Sequence, residues 1–238
     1  MTRTVKKKYK ERENEVKTYL DLITAFDEVD VFAHPEIKCI DMDATDFSIT
    51  LNVEMIQIFR AAFYLVLYNL IESTINDIIR EYKDAISLEK ITLDKLSTKA
   101  RIIYIEGIIG NKSSENSLSE IIKNIINDVV EGKNVALEKT KFNVSGNVNY
   151  EFINQVMSSL DCKGKISVNK DDIADYMEKV KTYRNNLAHG NISFVSVGRA
   201  QTISDMKKEY DLITQYLQEV IENLISYLDK KKYRKIIS

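Results

Sequence analysis

Apolar residues recur at three- and four-residue intervals along most of the chain, a spacing that predicts helices. Over about 5–30, Val16, Tyr19, Leu20, Ile23 and Phe26 trace one face. The pattern then breaks at His34-Pro35, since proline disfavours a helical residue before it. Asp41, Asp43 and Asp46 fall in an irregular connection, and 47–51 predicts a short strand or an extended lead-in. A long helix follows over about 53–85, with Ile56, Phe59, Phe63, Leu67, Ile71, Ile75 and Ile78 almost circling it, as a central buried helix requires. A third segment covers 92–109, and 110–114 reads as a turn. Ser117 or a nearby residue caps a helix over 118–130 that Gly132 closes. Weak alternation over 140–146 ends in the turn signal Ser145-Gly146-Asn147. Asn149 caps a short helix over 150–160, and Lys163-Gly164-Lys165 is a loop. From Asp171 or Asp172, Ile173, Tyr176, Met177, Val180, Tyr183 and Leu187 mark a helix that stops at His189-Gly190 (171–190). After a linker, Thr202 to Asp205 offers a cap for the last long helix, about 204–233. No internal repeat is visible. The expected architecture is all-α, with room for one short hairpin or extended stretch: one helical domain over 1–238 with an inserted middle portion at about 88–160.

Composition narrows this further. One proline and seven glycines in 238 residues are too few for an all-β fold rich in tight turns. A formal charge of −2 gives no bulk signal for nucleic acid, so any RNA contact must come from a local patch or a site completed by a second subunit. The basic runs at 1–10 and 230–235 read first as solvated chain ends, with phosphate binding as the other option. Cys39 and Cys162 have neither disulfide-framework nor zinc spacing. The start lacks the long apolar core of a signal peptide. The most apolar stretch, 56–79, is interrupted by Arg60, Asn69, Glu72, Asn76 and Asp77, which argues against a membrane span. The expectation is a cytoplasmic protein with reduced thiols and no membrane partner.

Only two histidines are present, so the search for chemistry is short. His34 precedes a proline and has no evident partner. His189 stands four residues after Asn185, on the same helix face, and Arg184 lies one step round with a side chain long enough to reach that pair. The last helical turn favours a protonated ring, whereas the arginine opposes it, and competing influences of this kind can poise an imidazole to take and give protons. Such a set suits RNA cleavage: histidine moves protons, a guanidinium holds phosphate oxygens bidentately, and asparagine orients the ring or the phosphate. No metal or other cofactor is required, and no carboxylate or Cys/His group has metal-ligand spacing. The competing reading is plain: Arg and His at a helix end also serve simply to cap carbonyls. A second feature bears on the choice. Arg60, Tyr64, Tyr68 and Glu72 form a polar stripe on the long helix, with Asn69 and Asn76 alongside. Buried polar groups need partners, and Glu72 is a natural mate for Arg60 or Arg184, either as support for the site or as internal pairing that holds the bundle.

The run Arg184-Asn185-Asn186-Leu187-Ala188-His189-Gly190 resembles the R-x4–6-H signature of HEPN domains. Three further stretches are similar to the MAE-like HEPN branch: Phe59-Arg60-Ala61-Ala62-Phe63 with 67–72, Phe142 to Val148, and Ser193-Phe194 followed by Gly198-Arg199. The resemblance runs in order from about 50 to 235. It implies a helical bundle that dimerises, bringing two motifs into one cleft, and a metal-independent endoribonuclease of a toxin–antitoxin or phage-defence system. By position it makes Arg184 and His189 the catalytic pair, Asn185 the polar residue of the motif, and Glu72, with Asn69, the supporting group; Arg60 joins that support from the polar stripe. It also implies RNA as substrate and an antitoxin or defence-system partner. Some HEPN toxins are controlled through a tyrosine two places after the histidine; Asn191 stands there, so that control is not expected. Two rival readings are a non-catalytic interaction or RNA-binding scaffold, against which the intact Arg184/His189 pair weighs, and a nucleotide-binding regulatory subunit, which the lack of a Gly-rich phosphate loop disfavours.

Overall fold

The apolar spacing folds as helices: α1 (Thr4–Asp27), α2 (Val53–Leu88), α3 (Thr98–Gly110), α4 (Leu118–Val130), α5 (Tyr150–Ser159), α6 (Lys170–Ala188), α7 (Phe194–Arg199) and α8 (Ile203–Asp229). The computed structural model describes residues 3–28, 36–39, 47–110, 117–137, 144 and 146–235. His34, Pro35, the three connecting aspartates, the 110–114 turn beyond its first residue, and most of 140–146 lie outside the described residues. Strand β2 (Phe47–Thr50) sits where an extended segment is expected, and it pairs antiparallel with β1 (Glu36–Cys39), Glu36 opposite Thr50 and Cys39 opposite Phe47. The architecture is all-α with this one small hairpin.

Several helix ends follow from single residues. Ser117 Oγ accepts from the Glu120 N–H at 3.2 Å, and Asn149 Oδ1 accepts from the Phe152 N–H at 3.0 Å; each satisfies a donor the first turn leaves open. Gly132 closes α4 at φ +64° while the Lys133 N–H reaches back to Asp128 O. The last helix starts one residue after Thr202, whose Oγ1 accepts from the Asp205 N–H, and it stops at Asp229 rather than 233; Lys231 there has φ +47°. The third segment is not one helix: residues Leu93–Lys95 form a single 3-10 turn before α3. The expected linker after Gly190 contains α7, capped by Ser193 Oγ on the Ser196 N–H.

Two compact units emerge, one from residues 1–8, 72–169 and 215–238, the other from 9–71 and 170–214. In the first, Ile75, Ile78, Tyr82, Leu137, Ile153, Leu217 and Leu224 form the core. The Leu137 N–H there donates to Ser87 Oγ, and the Ser97 N–H to Tyr233 O, so irregular segments are tied to helices by backbone groups. In the second, Ile23, Phe63, Leu67, Met177, Val180 and Ile213 are buried together with the rings of Tyr64 and Tyr68. There the Tyr9 hydroxyl donates to Thr214 O and the Tyr19 hydroxyl to Phe59 O. By length and composition α2 is apolar enough to cross a membrane, and half of its most apolar window is buried within the protein.

Candidate functional site at the end of α6

The face of α6 that carries Ile173, Met177, Val180 and Leu187 is buried, which fixes the rotation of the helix and leaves Arg184, Asn185 and Asn186 half-buried at its last turn. The helix closes in a Schellman arrangement. The His189 N–H bonds Asn185 O at 3.1 Å, the Gly190 N–H bonds Leu187 O at 3.3 Å, and the Asn191 N–H reaches Asn186 O at 2.8 Å. Gly190, at φ +69°, supplies the left-handed residue that this closure needs. His189 is therefore the helix cap, exposed, and tied through its backbone to the motif's asparagine.

Arg184 lies over an aromatic ring. Its Cζ is 4.7 Å from the ring centroid of Tyr68, which is only 1% exposed, and its Nη1 donates to Asn185 Oδ1 at 2.9 Å. Arg184, Asn185 and His189 thus gather at one helix end, as their spacing predicts, with Asn185 orienting the arginine through its side chain.

One turn earlier the same two helices meet through a second set of polar groups. The Tyr64 hydroxyl donates to Gln201 Oε1 at 2.7 Å, and Gln201 Nε2 donates to the Tyr183 hydroxyl at 3.1 Å. The Tyr64 and Tyr183 rings meet edge-on at 4.9 Å, and Lys179 Nζ lies 5.7 and 5.8 Å from their centroids. Lys179 is paired with Glu209, a carboxylate 1% exposed. Desolvation raises the Glu209 carboxyl above its usual range, and the Lys179 ammonium opposes that rise. Burial likewise pushes the Tyr64 hydroxyl up.

The supporting residues separate. Arg60 does not pair with Glu72: twelve residues at 1.5 Å each put roughly 18 Å between them along one helix. It pairs instead with Asp27 of α1 and donates from Nη1 to Gln201 O at 3.1 Å; burial lowers its pKa. In the unit containing 72–169, Glu72 Oε1 accepts from the Gly146 N–H at 3.0 Å, pinning Gly146, at φ +57°, two residues before buried Val148. Asn76 Nδ2 donates to Glu72 O, and Asn69 is exposed. Tyr68 had no assigned place in the sequence reading beyond membership of the polar stripe; its partner on α6 follows from packing that four-residue spacing alone does not reveal. Among the described residues, no group of three or more His, Cys, Asp or Glu could hold a metal ion.

No curated protein and no solved structure matches the chain. A family model does: that of the HEPN_MAE_28990-like HEPN proteins matches residues 1–233, reaching from the first turn of α1 past the end of α8 and across the arginine–histidine motif. With nearly the whole length accounted for in this way, the chain belongs to the HEPN_MAE_28990-like HEPN family.

Proposed function

We propose that the chain is an endoribonuclease that cuts RNA by intramolecular attack of a ribose 2′-hydroxyl on the adjacent phosphate. The observation that carries this reading is an exposed imidazole at the same helix end as a guanidinium held over a tyrosine ring. His189 takes the 2′-hydroxyl proton as the O2′–P bond forms, and the P–O5′ bond breaks as the leaving oxygen gains a proton. The products are a 2′,3′-cyclic phosphate and a 5′-hydroxyl end. Arg184 binds the phosphate oxygens, on which negative charge collects. No metal takes part in these steps. A homodimer places two motifs in one groove, so that His189 of a second copy serves as the acid and two guanidiniums share the phosphate. The setting is cytoplasmic, within a bacterial defence or toxin–antitoxin system in which a partner protein restrains the nuclease.

Expression of wild type, His189→Ala and Arg184→Lys, followed by growth and total-RNA integrity, tests this. Growth arrest and RNA breakage should be lost in both variants, because an ammonium does not reproduce the planar fork. Equal behaviour of wild type and His189→Ala favours the scaffold reading, and cleavage that stops in EDTA contradicts the metal-free steps.

A further inference from the structure

We infer that Tyr68 is the positioning residue that sets the plane of the Arg184 guanidinium, a role that rests on the nuclease reading above. A guanidinium stacks through its face and donates through its edge, so a ring beneath it fixes orientation without using the in-plane N–H groups that grip a phosphate. The ring is fit for that task. It is fully within the core of its unit, next to Leu67 and Ile71, each 0% exposed, and its two side-chain torsions leave it little freedom. Asn185 holds one corner of the guanidinium through Nη1, so the ring contact and this hydrogen bond restrain it together.

A second contact of the same kind sets the rotation of α6. Tyr64 and Tyr68 are four apart and share a face of α2. Lys179 lies over Tyr64 and is locked there by Glu209, and Arg184 lies over Tyr68 one turn further on. α6 therefore lays two of its cations on two successive rings of α2. The first is anchored by a buried carboxylate; the second carries the motif. Tyr68 is thereby distinguished from its neighbours: removing its ring frees the motif arginine, whereas changing Tyr64 disturbs only the anchor.

Two readouts separate this from a packing role. The first is the Nε–Hε resonance of Arg184, identified by its loss in Arg184→Lys; lying over a ring, it should be shifted upfield by the ring current. The second is kcat and KM on a short single-stranded RNA. Tyr68→Leu should abolish the upfield shift and lower kcat roughly tenfold or more, in line with a desolvated cation–π contact, with a smaller change in KM. Tyr68→Phe keeps the ring and should restore both signals. Tyr64→Phe, which loses the hydrogen bond to Gln201, controls for general destabilisation: it should lower the unfolding midpoint while leaving the Arg184 resonance in place. Loss of the shift in Tyr68→Leu with unchanged kcat overturns the positioning role and leaves the nuclease reading standing. The same holds if Tyr64→Phe slows cleavage as far as Tyr68→Leu does. Absence of cleavage by wild-type protein in which the resonance is present overturns both.

Discussion

Gly190 holds φ at +69°, and a Cβ built there would meet nothing within 4 Å. Any penalty for a side chain at this position is thus conformational and not a clash. Gly190→Ala should cost about 1 kcal/mol, read as a lower urea midpoint with an unchanged slope. Asparagine tolerates the left-handed region, so Gly190→Asn should recover most of that loss. Because the Gly190 and Asn191 N–H groups close the turn that presents His189, the alanine variant should also slow RNA cleavage more than its stability loss accounts for. This glycine was readable from sequence as a helix stop. The partner of Arg60 was not: an arginine on a polar stripe advertises the need for a carboxylate, but Asp27 belongs to another helix and only packing of α1 on α2 brings it near.

α7 is the element that spacing concealed. Its six residues, Phe194–Arg199, are too few for an amphipathic repeat to show, and they include two valines, which have low helix propensity. What places it is a close approach. Gly198 is buried, and a Cβ there would lie well inside contact distance of the Gln57 backbone carbonyl on α2, which cannot swing away as a side chain would. Gly198→Ala should therefore destabilise by about 1–3 kcal/mol through forced separation of the two helices, measured as a drop in the urea midpoint. The Ser193→Ala cap variant should lose only about 1 kcal/mol. By contrast, α4 and α5 were legible almost to the residue, since Ser117 and Asn149 announce their starts by chemistry local to the chain. The one short hairpin the sequence allows is present, but the position of β1 was not legible, because a four-residue strand is defined by its pairing with β2, which no local pattern encodes. The motif on α6 was legible for the same reason the caps were, as its members lie within one turn and a half of helix.

Much of the positive charge at the described chain ends is compensated. Arg3 pairs with Glu81 and Asp229, Lys6 with Glu222, Lys8 with Asp77, and Lys10 with Glu13; Lys231 and Arg234 both engage Glu89. The basic runs, expected as solvated ends with phosphate binding as the other option, thus carry several ion pairs within the chain, most with at least one exposed partner. Lys231 and Arg234 hold the Glu89 carboxyl down to about 2. A depressed folded-state value means that its contribution to stability is present above the unfolded value of about 4.3 and is lost as pH falls toward 2. Thermal midpoints of wild type and Glu89→Gln should therefore converge between those limits and separate at neutral pH, with wild type the more stable. The same compensation bears on how a polynucleotide would be held. A single strand gripped chiefly by two copies of Arg184 displaces few condensed counterions, so affinity would vary with salt at a logarithmic slope of roughly −1.4 and not with the steep dependence of a basic groove. On the nuclease reading, such a protein would ignore bulk RNA at physiological ionic strength and bind only a strand whose shape fits the paired motifs.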